Sequence, residues 1–370
     1  MVRNGGLIGL RDSRPMRTMM MKHDDMITLL NRALATDFRL MPMYTPDTPV
    51  FLAVAWPTAE GVTGLKPRLP AGRGLTLQQA MLSAGAEAIE LRASLAQSHR
   101  AMLGQCPRIA DLAVVTCTDL ATGEEVQVPA QDVFLDCAVV LGERLVNDAN
   151  STGCAVAPTR AEAADLALWE CIERDAVALW WHGGLPPGTL PQDIIDAHHP
   201  RLGWWLEQRM RRTRFLDLTS DIGLPVVAAV SCDADGGRVA MGTASRPHLA
   251  DAALAAVTEL VQTEVSLEEA LAQSDPEAVA WAAQGRISQP AFQPVGEKAA
   301  AGHLHGGDLL ERLGAMGHRV LTFDLTLPED PLPSLRVLVP GLCAMGGRIG
   351  TDRFRRLCPD AAHPHFPEPF

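Results

Sequence analysis

The sequence of 370 residues has little of several features that mark particular classes of protein. It has 32 Lys and Arg against 44 Asp and Glu and no block rich in Lys or Arg, which argues against a nucleic-acid-binding protein. No run of about 18 apolar residues occurs, so a membrane span is not expected. The N-terminus has no apolar stretch of secretory length, so we expect a cytoplasmic protein.

The motifs of several common active sites are also missing. The sequence has no P-loop, no G-x-G-x-x-G, no kinase signature set and no G-x-S-x-G, which argues against the nucleotide sites and hydrolase sites built on those motifs. None of the eight cysteines forms a C-x-x-C pair, so we expect reduced thiols rather than a zinc site or a disulfide scaffold. The His pairs have no partner at the spacing of zinc proteases.

Stretches with helical and with strand patterns alternate along the whole chain, which predicts an α/β or α+β fold. Two capping-box patterns, Thr76 with Gln79 and Thr159 with Glu162, each predict the start of a strong helix, the second running to about Trp181. At about 150 residues per domain, the length fits one large domain or two to three small ones.

Weaker patterns predict the elements between these two helices and around them. Helices are expected over residues 24–45, 201–212 and 249–271, and residues 57–74 are expected to form a loop. Strands or β-type runs are expected at residues 50–56, 113–117, 133–141, 215–219, 225–231, 238–243, 319–325 and 336–339.

Pairs of glutamates recur on the two strong helices. Glu87 and Glu90 lie three residues apart, as do Glu170 and Glu173, so each pair shares a helix face that is otherwise apolar. Like charges at this spacing repel by a few tenths of a kcal/mol, and burial makes them more costly. Each pair is therefore either a solvated stripe or part of a divalent-cation site, because carboxylate oxygens suit Mg²⁺ that is shared with nucleotide phosphates.

A resemblance to one family accounts for these pairs. Residues 150–181 (NSTGCAVAPTRAEAADLALWECIERDAVALWW) resemble the central signature of the YcaO family, and four further stretches resemble its other signatures in the same order. These stretches are residues 72–90 (GRGLTLQQAMLSAGAEAIE), 217–231, 252–262 and 336–342. The resemblance implies a variable segment at residues 1–45, a catalytic domain at 46–358 and a Pro-rich tail at 359–370.

The resemblance implies an α/β fold with helices packed on mixed sheets and an ATP site that lacks a P-loop. Enzymes of this family use ATP and Mg²⁺ to activate backbone amides of ribosomally made precursor peptides. A Cys, Ser or Thr nucleophile gives thiazoline or oxazoline, an external sulfur donor gives a thioamide, and an amine gives an amidine. We expect a cyclodehydratase. The alternatives are a thioamide-forming enzyme with a TfuA-like partner, or a degenerate subunit without activity.

The resemblance also implies roles for individual residues. The metal ligands would be Glu87, Glu90, Glu170 and Glu173. The nucleotide would contact Ser83, Glu87, Ser151, Glu170, Arg174, Glu259 and Gln262. In the tail, the prolines Pro364, Pro367 and Pro369 would place the terminal carboxylate of Phe370 as a proton acceptor. The alternative for this tail is a disordered end.

Some positions depart from the family pattern. Thr152 replaces an Asn, Ala255 replaces an Arg, and Glu264 stands where a basic residue is frequent, which motivates the degenerate alternative. With residues 1–45 alone ahead of the predicted catalytic domain, we expect a leader-binding partner protein in trans. The expected partners are thus a precursor peptide with its leader, this partner protein and a second copy of the chain in a homodimer, with no nucleic acid and no membrane.

Overall fold

A computed structural model describes residues 22–45, 48–58, 64–65, 68–298, 306–343 and 350–361. Its helices are α1 (His23–Leu34), α2 (Leu77–Ser94), α3 (Arg100–Leu103), α4 (Ala130–Val133), α5 (Cys137–Leu141), α6 (Arg160–Trp181), α7 (Pro200–Gln208), α8 (Leu249–Ala272), α9 (Pro276–Gln284), α10 (Gly306–Ala315) and α11 (Asp352–Leu357).

The strands are β1 (Phe38–Met43), β2 (Phe51–Pro57), β3 (Ala71–Gly74), β4 (Arg108–Ile109), β5 (Leu112–Asp119), β6 (Glu125–Pro129), β7 (Cys154–Val156), β8 (Gly188–Thr189), β9 (Arg212–Asp217), β10 (Val226–Cys232), β11 (Ala240–Ser245), β12 (Leu321–Asp324) and β13 (Ser334–Leu338). The α/β fold class is therefore confirmed. The expectation of mixed sheets was wrong, because every strand pair within the described ranges is antiparallel.

The chain forms two compact units. Unit 1 comprises Met1–Thr45, Phe51–Cys171 and Gly306–Pro340, and unit 2 comprises Pro46–Val50, Ile172–His305 and Gly341–Phe370, each as far as its residues are described.

Unit 1 contains two antiparallel sheets. One has the strand order β1-β2-β3, and the other has the order β4-β5-β12-β13-β7 with β6 paired to β5. Helix α2 packs on the first sheet, and its capping box is formed as predicted, with Thr76 accepting from the Gln79 amide. Gly72 of β3 permits this close packing, because a Cβ there would lie 2.0 Å from the backbone nitrogen of Ala84.

Unit 2 contains one four-stranded sheet of order β11-β10-β9-β8, and α8 packs on β10 and β11. Every residue of β10 and β11 is buried. A cluster of aromatic rings, Trp180, Trp181, Trp281 and Phe292, adds to the core of this unit, with ring centroids 5.4–6.1 Å apart. In the portion of the chain that is described, no helix is both long enough and apolar enough to cross a membrane.

Several local predictions were wrong. Residues 24–45 form α1 followed by β1 rather than one helix, because Phe38, Arg39, Leu40 and Met41 alternate between buried and exposed positions as a strand requires. The expected loop at 57–74 contains strand β3.

Two further assignments failed for a related reason. The β-type run at 133–141 forms the end of the short helix α4, a short connection and the short helix α5, and Val133 and Phe134 pack in a buried cluster rather than in a strand. The helix expected over 201–212 ends at Gln208, and the chain enters β9 at Arg212. Tertiary packing thus overrides the intrinsic preference of short segments.

Candidate active site

Helix α2 carries the first pair of glutamates in unit 1. Glu87 is exposed and Glu90 is partly buried one turn later. Glu170 of helix α6 lies close to Glu90, and its carboxylate accepts a hydrogen bond of 3.0 Å from the Gly153 amide. The capping box of α6 is formed as predicted, with Thr159 and Glu162 bonded reciprocally at 3.1 and 3.2 Å.

Glu90 lies in a setting that opposes a negative charge. Burial raises the pKa of Glu90 well above its ordinary value, and the nearby carboxylates of Glu87 and Glu170 raise it further. The positive charge of Arg336 lowers the pKa of Glu90. The Arg336 guanidinium donates a hydrogen bond of 2.6 Å to the Asn150 carbonyl. Glu87 and Glu170 therefore lie near enough to the partly buried Glu90 to oppose its negative charge.

The chemistry of this donor set fits a hard divalent cation. A cation beside Glu87, Glu90 and Glu170 would remove the repulsion among them, and oxygen ligands are those that Mg²⁺ prefers. Among the residues with described positions, no three acidic, His or Cys side chains already converge as a complete metal site.

The fourth predicted metal ligand, Glu173, lies in unit 2 and is only 7% exposed. Its two carboxylate oxygens accept hydrogen bonds from the Thr243 hydroxyl at 2.7 Å and from the Ser245 amide at 3.2 Å. These partners fix the carboxylate against strand β11.

The remaining predicted nucleotide contacts are distributed over both units. Ser83 lies on α2 and Ser151 in the loop before β7, and both belong to unit 1. Arg174 lies on α6, and Glu259 and Gln262 lie on α8, all in unit 2. The tail residues Pro364, Pro367, Pro369 and Phe370 lie outside the described residues.

Glycine sets the position of α8, as it does for α2. A Cβ at Gly242 of β11 would lie 2.2 Å from the backbone nitrogen of Leu260 and 2.7 Å from the carbonyl carbon of Glu259. The turn of α8 that carries Glu259 and Gln262 therefore lies directly on the sheet.

Two residues near the motifs have structural roles instead. Arg92 follows the first glutamate pair and forms a partly buried ion pair with Asp37, at 2.9 Å, and a buried one with Asp330. Glu264, a departure from the family pattern, pairs with Arg209 at 2.8 Å and with Arg211 at 3.3 Å. The acidic residue at 264 is therefore neutralised within unit 2.

Sequence reasoning missed Arg336 and the amide of Gly153 as parts of the acidic cluster. Arg336 is 2% exposed and also donates to the Cys154 thiol at 3.0 Å. A lone arginine in an apolar stretch, residues 335–339, was the available signal, because a buried charge needs a partner.

A family model described as YcaO cyclodehydratase, ATP- and Mg²⁺-binding, matches residues 107–343. An uncharacterised Rhizobium leguminosarum bv. trifolii protein, described as encoded in the tfuA 3′ region, is 27% identical over 328 residues, covering 73% of this chain and 76% of that protein.

Two solved structures share the fold. A heterocyclase in complex with substrate and cofactor superposes with a TM-score of 0.79 at 18% identity, over 99% of this chain and 59% of that chain, so the present chain spans little more than half of that protein. YcaO from Methanopyrus kandleri, bound with AMPPCP and Mg²⁺, superposes with a TM-score of 0.64 at 21% identity, over 94% and 95% of the two chains.

Proposed function

The chain belongs to the YcaO family, and we propose that it activates backbone amides of a precursor peptide and cyclodehydrates Cys, Ser or Thr to thiazoline or oxazoline. ATP and Mg²⁺ are the cofactors of the family, in agreement with the prediction from sequence. The observation that carries the proposal is the partly buried Glu90, whose negative charge Glu87 and Glu170 oppose, since such a group of carboxylates favours a bound cation.

In unit 1, Glu87, Glu90 and Glu170 would hold Mg²⁺, and the hydroxyls of Ser83 and Ser151 would contact phosphate. The Gly153 amide orients the Glu170 carboxylate, as hydrogen bonds commonly do for a metal-ligating group. Arg336 limits the negative charge of the cluster when no cation is bound.

In unit 2, the buried Glu173 would contribute a carboxylate that Thr243 and Ser245 hold in one orientation. Arg174 would neutralise phosphate charge, for which a guanidinium is well suited, and Glu259 and Gln262 would bind the nucleotide. We also propose that the carboxylate of Phe370, placed by Pro364, Pro367 and Pro369, accepts a proton during ring formation.

When bound, ATP with Mg²⁺ supplies the phosphoryl group that converts the amide oxygen into a leaving group. The contribution of the chain is to position the nucleotide and to compensate charge, which is most of what phosphoryl transfer requires. The peptide supplies the nucleophile, so the ring formed depends on the side chain that adds to the carbonyl.

One observation favours a second candidate, a thioamide-forming enzyme. The Rhizobium relative is described as encoded beside tfuA, and a TfuA-like protein is the partner we expect for thioamide formation. For either reaction, we propose that a partner protein in trans delivers the peptide. The mass of the product distinguishes the two, because cyclodehydration removes one water while thioamide formation replaces an oxygen by sulfur.

Calorimetric titration of the full chain with ATP and Mg²⁺ tests the nucleotide site. We expect Glu90→Gln to weaken binding about tenfold or more, because it removes a charge that would face the cation. Glu311→Gln, an exposed position on α10, is the matched control and should bind as the wild type does. Equal affinity in the wild type and in Glu90→Gln would refute the assignment.

Glu173→Gln is a less direct test. Both oxygens of Glu173 accept hydrogen bonds, so a Gln amide nitrogen would face a donor and disturb β11 at a cost of about 1–3 kcal/mol. A loss of ATP binding in this variant is informative only together with an unchanged unfolding transition.

A further inference from the structure

Unit 2 contains a cavity of about 570 Å³ whose lining includes none of the carboxylates on α6. It is bordered by α7, by the chain that follows β8 and by the outer side of strand β9. Thr213, Arg214 and Phe215 of β9 line it together with Leu206 of α7 and Leu190. A space of this size and mixed lining is within the range of ligand sites.

The outer edge of β9 is open along this cavity. Strand β8 pairs only with Asp217 and Leu216, and no strand in the described structure pairs with residues 212–215 on that side. The Leu218 amide donates to Val226 of β10 at 2.8 Å, so alternate residues from 218 back to 212 point their backbone groups at β10. The backbone N–H and C=O groups of Thr213 and Phe215 therefore point outward.

Two arginines stand along this edge on one face of β9. Arg212 donates to the Ala234 carbonyl at 2.6 Å, and Arg214 donates to the Phe292 carbonyl at 3.2 Å. Within the ranges that the structure describes, neither guanidinium has a carboxylate within 4.0 Å, in contrast to the two arginines that Glu264 neutralises. The edge thus combines outward backbone groups with uncompensated positive charge.

The bordering segment also exposes large apolar side chains. Trp204 on α7 is 63% exposed, and Met210, between α7 and β9, is 87% exposed. Trp, Met and Arg are enriched in protein interfaces, and an open strand edge is a template for pairing with another chain.

We propose that this edge binds an extended segment of the peptide substrate as an added strand, with acidic side chains at alternate positions facing Arg212 and Arg214. The identity of the ligand as substrate rests on the proposed function, whereas the docking site rests on the geometry of β9 alone. Strand addition is a common mode of peptide recognition, in which main-chain hydrogen bonds give affinity and alternate side chains give specificity.

The charges that line the cavity favour a peptide with acidic side chains at every second position. Successive side chains of a strand point to opposite faces, so acids at every second position all meet the arginine face. Asp196 and Glu207 also line the cavity, so an acid close to either carboxylate is repelled. A contiguous acidic block would place half of its charges on the face opposite Arg212 and Arg214.

Fluorescence polarisation with a labelled nine-residue peptide of alternating Glu and Thr tests the proposal on the full chain. An isomer of the same composition with its Glu residues in one block is the control peptide. A third peptide carries N-methyl groups at alternate amides, which removes strand hydrogen bonds without changing the protein. We expect only the first peptide to bind well.

The double variant Arg212→Glu/Arg214→Glu should weaken binding of the alternating peptide about tenfold, because two favourable cross-strand charge pairs become repulsive. Arg201→Glu, an exposed position on α7 outside the cavity lining, should not change it. Equal binding by the two isomers, by the N-methylated peptide or by the double variant overturns the proposal, and so does absence of binding.

Titration with ATP and Mg²⁺ on the same samples separates this proposal from the proposed function. If the double variant loses the peptide and retains ATP, the docking site stands by itself. If the wild type binds ATP and no peptide, docking fails while the nucleotide site stands. If the wild type binds peptide and no ATP, the proposed function fails while docking stands.

Discussion

The buried ion pair between α6 and α11 permits a sharp prediction of stability in unit 2. Arg353 donates from Nε to both Asp175 oxygens at 3.0 Å and from Nη2 to Oδ2 at 2.9 Å. The side chains of Arg353 and Asp175 are 2% and 0% exposed. The Cys343 amide adds one further hydrogen bond of 2.8 Å to Asp175.

Arg353→Met removes the charge and leaves the carboxylate of Asp175 buried with the Cys343 amide as its remaining described donor. An uncompensated buried charge of this kind costs about 3–5 kcal/mol of unfolding free energy. The double variant Asp175→Asn/Arg353→Met removes both charges and retains an acceptor for Cys343. It should therefore lose less, by at least about 1.5 kcal/mol, than Arg353→Met alone.

Asp221 provides the internal control, because Arg353 also donates to it and its side chain is 43% exposed. Asp221→Asn should cost only about 0–1 kcal/mol, as solvent screens such a pair. Urea unfolding followed by tryptophan fluorescence is the assay, since five of the seven tryptophans lie in unit 2. A loss below about 1 kcal/mol for Arg353→Met would refute the reasoning.

Two further predictions concern packing and thiol chemistry. Gly242→Ala should destabilise unit 2 by about 1–3 kcal/mol, because its Cβ would meet the backbone nitrogen of Leu260 at 2.2 Å. Gly314→Ala, at an exposed position of α10, meets nothing within 4 Å and should stabilise the protein slightly. The urea midpoints of the two variants test both expectations. Burial raises the pKa of the Cys117 and Cys343 thiols to about 12, so neither should react with iodoacetamide at pH 8 in the folded protein, and rapid labelling of either would contradict the structure.

The parts of the fold that could be predicted from the sequence are those that depend on residues close together in the chain. The capping boxes at Thr76 and Thr159 involve side chains three residues apart, so α2 and α6 were predictable with their starts. The repeated spacing on these helices identified Glu87 and Glu90 as a pair that requires solvent or a cation. Residues 38–43 were predicted as part of a helix, because the strand that pairs with them, β2, comes later in the chain and local patterns do not show it.

The sequence by itself determined which helices carry the acidic residues, that no P-loop is available to bind a nucleotide, and which family signatures are present. Only the tertiary structure decided that Glu170 lies beside Glu87 and Glu90, that Arg336 and the Gly153 amide complete this cluster, and that β8 leaves part of β9 open. The physical reason is the separation in sequence over which each interaction acts. Capping and helix periodicity act between neighbours in the chain, whereas desolvation, charge coupling and strand pairing join residues that the sequence separates by tens to hundreds of positions.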